Sequence, residues 1–195
     1  MAKDTIWALE IPIFGVPMKN NIEIAGKQFE IYISGDEIQN RIKLTADAIN
    51  TDYKGKTPLF ISVLNGAFMF TSDLLKQIDL PCEVHFVKLS SYEGTSSTGD
   101  VKQLVGLNVD LKNREVIILE DIVDTGLTMS MLLKQIQALE PNSVAICSLL
   151  VKPEALQEKV AVTYCCFEIP EKFVIGYGLD LDGLGRNLPH IYQIK

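Results

Sequence analysis

The chain has 195 residues, of which 47% are hydrophobic, and its formal net charge is −7 at pH 7. This length and composition suffice for a single domain with a substantial core and exclude a disordered chain. The acidic charge disfavours nonspecific binding to nucleic acid or to an anionic membrane. A polyphosphate ligand would therefore have to be held locally, by backbone N–H groups, a few cations and metal.

The four cysteines show no metal-ligand spacing, and we expect all of them to be reduced thiols. The sequence contains neither a signal peptide nor an apolar run of about 18 residues, the length that a membrane span requires. We therefore expect a cytoplasmic protein that contacts no membrane.

The N-terminal part of the chain predicts one helix and one strand. The first 30 residues show no clear hydrophobic period and are expected to pack on the domain without a function of their own. Residues 36–53 carry apolar side chains at helical spacing, and Ser34 or Asp36 can cap their start, which predicts a covering helix. Residues 59–64 are apolar and predict a buried strand.

Asn65 and Gly66 form a turn between this strand and a helical pattern that begins near Phe68. A strand, a glycine turn and a helix in this order can bind phosphate. The same order occurs in every α/β domain, so the turn by itself is weak evidence for a binding site.

Residues 83–89 predict a further strand, which leads into eleven polar residues, 90–100. Long polar loops in compact domains are typical of mobile lids, but they also occur as solvated hairpin tips. Both interpretations stay open on composition alone.

The most informative stretch is residues 115–130, EVIILEDIVDTGLTMS. Residues 116–119 are an unbroken apolar run, as in a central strand of a parallel sheet. Glu120 and Asp121 then end the run. Because two adjacent carboxylates are costly to bury, we expect the strand to deliver them to an open, polar edge.

A polar turn, residues 124–128, follows the two carboxylates and precedes a helical pattern through Ile136. It offers hydroxyls, a glycine and successive N–H groups, which together can bind an anion at a helix N-terminus. Charge would place a phosphate in this turn and leave Glu120 and Asp121 for hydroxyls or a divalent cation. The alternative is a structural turn in which Thr125 or Thr128 only caps the helix.

The C-terminal third predicts a buried strand over residues 143–151, followed by Lys152. A lysine at a strand end can be merely solvated. Residues 160–169 and 173–177 predict short extended segments. The two histidines, His85 and His190, have no partner pattern and are interpreted as structural.

The apolar strand, Glu-Asp, two residues and Asp-Thr-Gly-x-Thr together resemble the phosphoribosyl pyrophosphate motif of type I phosphoribosyltransferases. Over roughly residues 30–195 the chain is similar to the hypoxanthine and hypoxanthine-guanine branch of that family. The further matches, in the expected order, are Val63-Leu64-Asn65-Gly66, Ser91-Tyr92, Ser97-Thr98-Gly99-Asp100, Leu149-Leu150-Val151-Lys152, Phe173-Val174-Ile175-Gly176-Tyr177, Leu179-Asp180 and Arg186.

The resemblance implies an α/β fold with a parallel sheet flanked by helices, within a single domain of residues 1–195. A small hood, from about residues 1–35 and 170–195, would lie over the C-terminal strand edge, and a flexible lid would span about residues 90–103. It implies purine salvage, in which 5-phosphoribose moves from phosphoribosyl pyrophosphate to N9 of hypoxanthine and also of guanine. Magnesium would serve as cofactor, and the protein would form a homodimer or homotetramer without nucleic acid.

The resemblance also implies roles for individual residues and a non-proline cis peptide at Leu64-Asn65. Many relatives carry Lys at the position of Asn65, so pyrophosphate would here depend more on backbone and metal. The implied roles are catalysis for Asp124; ribose binding for Glu120 and Asp121; 5′-phosphate binding for Asp124, Thr125, Gly126, Leu127 and Thr128; pyrophosphate binding for Asn65, Gly66, Ser91, Tyr92 and Arg186; purine binding for Lys152, Phe173, Val174 and Asp180; and magnesium binding for Glu120, Asp121 and Asp180.

Two other classes of function compete with this interpretation. In an aspartyl-phosphate phosphatase a strand likewise ends in Asp-x-Asp-x-Thr, but Asp121 and Asp124 are three positions apart instead of two. A noncatalytic regulator on the same fold would sense the ribose pyrophosphate and bind nucleic acid. The acidic charge and the intact Asp124 speak against it.

Overall fold

The computed structural model describes residues 20–91 and 102–195 and, within these ranges, all side chains except those of residues 89–91 and 102–105. No helix in these ranges is long and apolar enough to cross a membrane. The strands are β1 (Asn21–Ile24), β2 (Lys27–Ile33), β3 (Leu59–Leu64), β4 (Glu83–Ser91), β5 (Lys102–Val105), β6 (Glu115–Val123), β7 (Ser143–Val151), β8 (Tyr164–Glu168), β9 (Val174–Ile175) and β10 (Ile191–Ile194), and the α-helices are α1 (Gly35–Asp52), α2 (Phe68–Leu75) and α3 (Leu127–Gln137).

The larger sheet has six strands in the order β5-β4-β3-β6-β7-β8. Its strands β4, β3, β6, β7 and β8 are parallel, and β5 pairs antiparallel with the end of β4. The carboxyl ends of parallel strands meet at one edge of a sheet, which is where α/β proteins bind ligands. The segments that follow β3, β6 and β7 therefore share this edge.

Two apolar layers cover the larger sheet. On β6, Ile117 and Leu119 pack into a core with α1 and α2, whereas Val116 and Ile118 pack into a second core with α3. A strand that is covered on both faces needs an unbroken apolar run, and residues 116–119 supply it.

Helix α1 begins and ends within one residue of the predicted bounds. Ser34 is its N-cap and forms a capping box with Glu37, in which each side chain bonds to the other residue's backbone N–H. Ile38, Ile42 and Ile49 are fully buried against the sheet. The predicted covering helix is confirmed.

The smaller sheet has four antiparallel strands in the order β1-β2-β10-β9. Its own core contains Phe29, Ile175 and Tyr192. Strands β1, β2 and β10 were not predicted: β1 and β10 have only 4 residues each, and β2 lies between them, beside β10 from the other end of the sequence. Residues 21–33 and 191–194 thus belong to one sheet.

The turn after β9 brings this small sheet to the carboxyl edge of the larger one. A Cβ atom added to Gly178 would overlap with the backbone oxygen of Gly66, which follows β3. The predicted fold, a parallel sheet flanked by helices with a small hood over the C-terminal strand edge, is confirmed. The bounds assigned to the hood and the lid stay a prediction.

Candidate active site

The central strand extends beyond Glu120 and Asp121, the two residues that end its apolar run. Strand β6 continues to Val123, because β7 remains its partner as far as the pair Val123 and Val151. Pairing with β3 on the other side stops at Leu119. The two carboxylates therefore lie in a strand that has one open flank.

Glu120 is also more deeply buried than an open, polar edge would allow, since only 9% of the residue is exposed. Burial raises the pKa of Glu120 well above its ordinary value, and the adjacent Asp121 carboxyl raises it further. A cation or hydrogen-bond-donating hydroxyl groups at this point would stabilise the ionised form of the pair.

Asp121 packs directly against the turn after β3. Its carboxylate occupies the space in which a Cβ atom of residue 66 would lie, so a larger residue at Gly66 would displace the Asp121 carboxylate. The carboxylate Oδ1 also accepts a hydrogen bond of 2.9 Å from the backbone N–H of Ile122. The peptide bond between Leu64 and Asn65 is cis, as the resemblance implied, and Asn65 is exposed beside Gly66.

The turn 124–128 lines a pocket of about 210 Å³ at the N-terminus of α3. Gly126 is the N-cap residue with φ +79° and has no side chain to cap the helix, but the Thr125 Oγ1 accepts a hydrogen bond of 3.5 Å from the N–H of Leu127 in the first turn. A Cβ atom at Gly126 would lie 2.9 Å from the backbone oxygen of Glu158. The pocket is lined by Glu120, Ile122, Val123, Asp124, Thr125, Gly126, Thr128 and Met129.

Lys152 lies across from this turn at the end of β7. Its Nζ donates a hydrogen bond of 2.7 Å to Asp124 Oδ2. Only 8% of Lys152 is exposed, and its backbone N–H donates to the oxygen of Val123 at 3.0 Å. The interpretation of Lys152 as a merely solvated strand end is therefore wrong.

Arg186 and Asp180 lie together beside the hood turn. Arg186 Nη2 is 2.6 Å from Asp180 Oδ1, and Arg186 Nη1 donates to the backbone oxygen of Gly178 at 2.7 Å. The other oxygen of Asp180 accepts from the N–H of Gly183 at 2.7 Å. Among the described residues no three acidic, histidine or cysteine side chains form a metal-binding group, so Asp180 does not join Glu120 and Asp121 in one.

Phe173 and Val174 belong to the small sheet and are not part of the pocket lining. Phe173 is 44% exposed, and its ring lies 6.4 Å from that of Phe29. Lys27 Nζ lies 5.9 Å from the centre of the same ring. Val174 is buried.

The remaining predicted residues belong to the segment after β4. Ser91 is the last residue of β4 and pairs with Lys102 of β5, but its side chain is not described. Tyr92 and the central part of the predicted lid lie outside the described residues.

Sequence reasoning missed a hydrogen-bonded group of side chains beside the hood turn, in which Tyr177 is buried, Asp73 is half-buried and Gln39 is exposed. The paired glycines around Tyr177 were the only signal in the sequence. His190 was interpreted as structural, and its Nδ1 accepts a hydrogen bond of 2.7 Å from the N–H of Gly35 at the start of α1.

Residues 28–182 match the family of the phosphoribosyl transferase domain. The chain belongs to this family. The matched range contains both carboxylates of β6, the turn 124–128, Lys152 and the turn after β3. The geometry at the carboxyl edge is thus that of a phosphoribosyltransferase.

Three relatives illustrate the similarity. The bifunctional protein TilS/HprT of Listeria monocytogenes is 40% identical over 167 residues, which are 85% of this chain but only 26% of that protein. The hypoxanthine-guanine phosphoribosyltransferase of Mycobacterium tuberculosis is 40% identical over 83% of each chain. A crystal structure of a hypoxanthine-guanine phosphoribosyltransferase from Bacillus anthracis has a TM-score of 0.79 and 33% identity, over 85% of this chain and 98% of that chain.

The raised pKa of Glu120 predicts how stability depends on pH. A group whose pKa is raised by folding contributes stability that is fully present below its unfolded pKa, about 4.3, and is lost as the pH rises through the folded value. The wild type should therefore lose free energy of unfolding in this range. The free energy of unfolding of Glu120→Gln should fall less over the same pH range, because the Gln side chain has no proton to release.

Urea unfolding between about pH 4 and pH 9, without substrates or metal, measures this difference. Glu154→Gln removes an exposed glutamate nearby and should follow the wild-type profile. Parallel profiles for Glu120→Gln and the wild type would contradict the raised pKa.

Proposed function

We propose that the protein is a purine-salvage transferase that moves 5-phosphoribose from phosphoribosyl pyrophosphate to N9 of hypoxanthine. Guanine is proposed as a second acceptor, and the products are a nucleoside monophosphate and pyrophosphate. Membership of the family and the similarity to hypoxanthine-guanine phosphoribosyltransferases support this proposal. A cytoplasmic location and a homodimer or homotetramer belong to the same proposal.

The observation that carries the proposal is the contact between Lys152 and Asp124, in which one donor and one acceptor stand 2.7 Å apart. A 6-oxopurine presents O6 and N7 side by side on one edge. An ammonium has donors only and therefore suits O6, whereas a carboxylate can accept a hydrogen bond or a proton at the N7 side. A purine base that enters between the two side chains would satisfy both.

The 5′-phosphate is assigned to the turn 124–128. The N-cap of α3 is a glycine, the contact of Thr125 Oγ1 with the N–H of Leu127 is long at 3.5 Å, and the pocket of about 210 Å³ lies directly before this helix end. A helix N-terminus favours negative charge through its N–H groups and dipole. Glu120 and Asp121 are assigned to the 2′- and 3′-hydroxyls, which can donate to carboxylates.

The pyrophosphate is assigned to the turn after β3 and to Arg186, with Ser91 and Tyr92 contributing from the lid. Gly66 is buried and allows close backbone approach. Asn65 supplies an amide in place of a cation, so Arg186 is the cationic side chain of this assignment.

The donor set at the edge fits magnesium. Mg²⁺ prefers oxygen ligands and binds through one or two carboxylates together with substrate phosphates rather than in an all-protein cage. Glu120 and Asp121 supply two carboxylates; Asp180, whose oxygens contact Arg186 and Gly183, forms no group with that pair and is proposed as a further ligand that would reach an ion only together with substrate phosphates. When bound with the substrate, the ion would lower charge repulsion and improve the leaving group.

The chain's own groups then orient and protect the reaction. Glu120 and Asp121 hold the ribose, while Lys152 and Asp124 orient the base with N9 toward C1′. Phe173 stacks on the purine, and Val174 and Asp180 are assigned to its far side. The transition state should carry oxocarbenium character, so the lid, about residues 90–103, must exclude water.

No observation favours either an aspartyl-phosphate phosphatase or a nucleic-acid-binding regulator. The Asp121 carboxylate lies against Gly66 and accepts from Ile122, which leaves little room for it to act as the nucleophile of a phosphatase. The charge of −7 continues to oppose a nucleic-acid-binding regulator.

The decisive assay is release of pyrophosphate from phosphoribosyl pyrophosphate and Mg²⁺ with hypoxanthine, guanine, xanthine or adenine in turn. Release with hypoxanthine, and little with adenine, is expected because the Lys152 ammonium cannot accept from the 6-amino group. No release with any of the four bases would refute the proposed function.

Lys152→Ala tests base selection. A site built around a hydrogen bond can reject a substrate that lacks the partner by up to about 10⁴–10⁵. The variant should lose most of its hypoxanthine activity and narrow the ratio of kcat/KM for hypoxanthine over adenine. Lys159→Ala removes an exposed lysine and should leave that ratio unchanged. An unchanged ratio in Lys152→Ala would show that residues other than Lys152 discriminate between hypoxanthine and adenine.

Asp124→Asn tests proton transfer at the base. General-base help contributes about 10²–10⁴ in rate, so kcat should fall by a factor in this range. The KM for phosphoribosyl pyrophosphate should change much less, because the turn 124–128 keeps its N–H groups. Asp47→Asn, on the exposed face of α1, serves as control. An unchanged kcat in Asp124→Asn would exclude this role.

A further inference from the structure

The turn after β9 contains three successive residues with positive φ. These are Gly176 at +95°, Tyr177 at +50° and Gly178 at +101°. Glycine adopts such angles readily, but for a bulky residue a positive φ is an outlier that the surroundings must enforce. Backbone hydrogen bonds hold part of this turn, among them those from the N–H groups of Tyr177 and Gly178 to the oxygens of Leu188 and Arg186 at 2.9 Å, and contacts of the Tyr177 side chain add to them.

Those contacts come from two helices. Tyr177, which is 2% exposed, donates a hydrogen bond of 2.5 Å from its hydroxyl to Asp73 Oδ2 in α2. Gln39 Nε2 in α1 donates to Asp73 Oδ2 at 2.7 Å and to the Tyr177 hydroxyl at 3.2 Å. Three side chains thus connect α1, α2 and the hood turn.

The hydrogen bond between Tyr177 and Asp73 joins a neutral phenol to a carboxylate. Burial, and after it the Asp73 carboxylate, raise the pKa of Tyr177. Burial alone would raise the pKa of Asp73, but hydrogen bonds from Lys76, Tyr177 and Gln39 outweigh it and lower that pKa. Hydrogen bonds to an ionised acceptor are the stronger kind.

The held turn leads step by step to the candidate active site. A Cβ atom at Gly178 would overlap with the backbone oxygen of Gly66, and one at Gly66 would overlap with the Asp121 carboxylate. Arg186 donates to the backbone oxygen of Gly178. Asp73 lies in α2, which directly follows the turn that contains Gly66.

We propose that Tyr177, Asp73 and Gln39 form a positioning latch, which holds the hood turn 176–178 against the turn 65–66. The latch sets where Gly66 and Arg186 stand relative to Asp121, and hence the geometry of the pyrophosphate side. Its three members act through these neighbours and contact no substrate. The proposal rests on the proposed transferase function.

Tyr177→Phe removes only the hydroxyl and tests the latch. The KM for phosphoribosyl pyrophosphate should rise roughly tenfold, the order expected when part of a hydrogen bond to a charged group is lost. The KM for hypoxanthine should change by less than about threefold, because Lys152 and Asp124 are not part of the latch.

Tyr164→Phe is a matched control. Tyr164 at the start of β8 donates a hydrogen bond of 2.7 Å to Asp52 at the end of α1, away from both turns. Tyr164→Phe should lower the melting temperature but leave the KM for phosphoribosyl pyrophosphate and the KM for hypoxanthine unchanged. If Tyr177→Phe behaves in the same way, Tyr177 is only structural and the latch is refuted.

A second variant separates the latch from a general loss of packing. Asp73→Asn should raise the same KM, and the double variant with Tyr177→Phe should be little worse than either single one, because both remove one interaction. Additive effects would contradict a shared latch.

A backbone measurement separates the latch from the function. If the wild type releases no pyrophosphate, the transferase function fails, but the latch is still tested by hydrogen exchange of the amides of residues 64–68. These should exchange faster in Tyr177→Phe than in Tyr164→Phe or the wild type. Equal exchange in all three proteins would overturn the latch.

Discussion

The rest of the site depends on one constraint, the close approach of the Asp121 side chain, the Gly66 backbone and the Gly178 backbone. Asp121 fills the space beside Gly66, and the oxygen of Gly66 fills the space beside Gly178. A side chain at Gly178 would overlap with backbone, and one at Gly66 would displace the Asp121 carboxylate. Protein interiors deform little, so such a stack transmits position from the hood turn to the central strand. The positions of the ribose and pyrophosphate groups would follow from it.

Electrostatics at the same edge are set by strand pairing. Because β6 keeps β7 as a partner beyond Leu119 while it loses β3, Glu120 is held inside the sheet and Asp121 faces the open flank. Burial makes ionisation of Glu120 costly until a cation or hydrogen-bond donors arrive. Lys152 and Asp124 neutralise one another a short distance along the edge. The site thus contains an acidic pair, Glu120 and Asp121, and an ion pair between Lys152 and Asp124.

Local patterns predicted the elements that are self-contained. The strands at 59–64 and 143–151 and the helix near 36–53 follow from apolar runs and a capping box, which involve neighbours in sequence. Only the segment of β9 in the small sheet was predicted as extended, because β2 and its partner β10 lie more than a hundred residues apart. The same distance hid the contact of Tyr177 with Asp73, which depends on two elements that the sequence does not connect.

The sequence by itself determined the family, the parallel sheet and the residues at its carboxyl edge, because a strand followed by Glu-Asp and a Thr-Gly-Thr turn is a local chemical pattern. Only the tertiary structure decided how deeply Glu120 is buried, that Lys152 pairs with Asp124, and that Asp180 pairs with Arg186 instead of joining the two carboxylates. Burial and pairing depend on which strands and turns stand beside a residue. That neighbourhood is a property of the folded chain, whereas residue type and spacing are already present in the sequence.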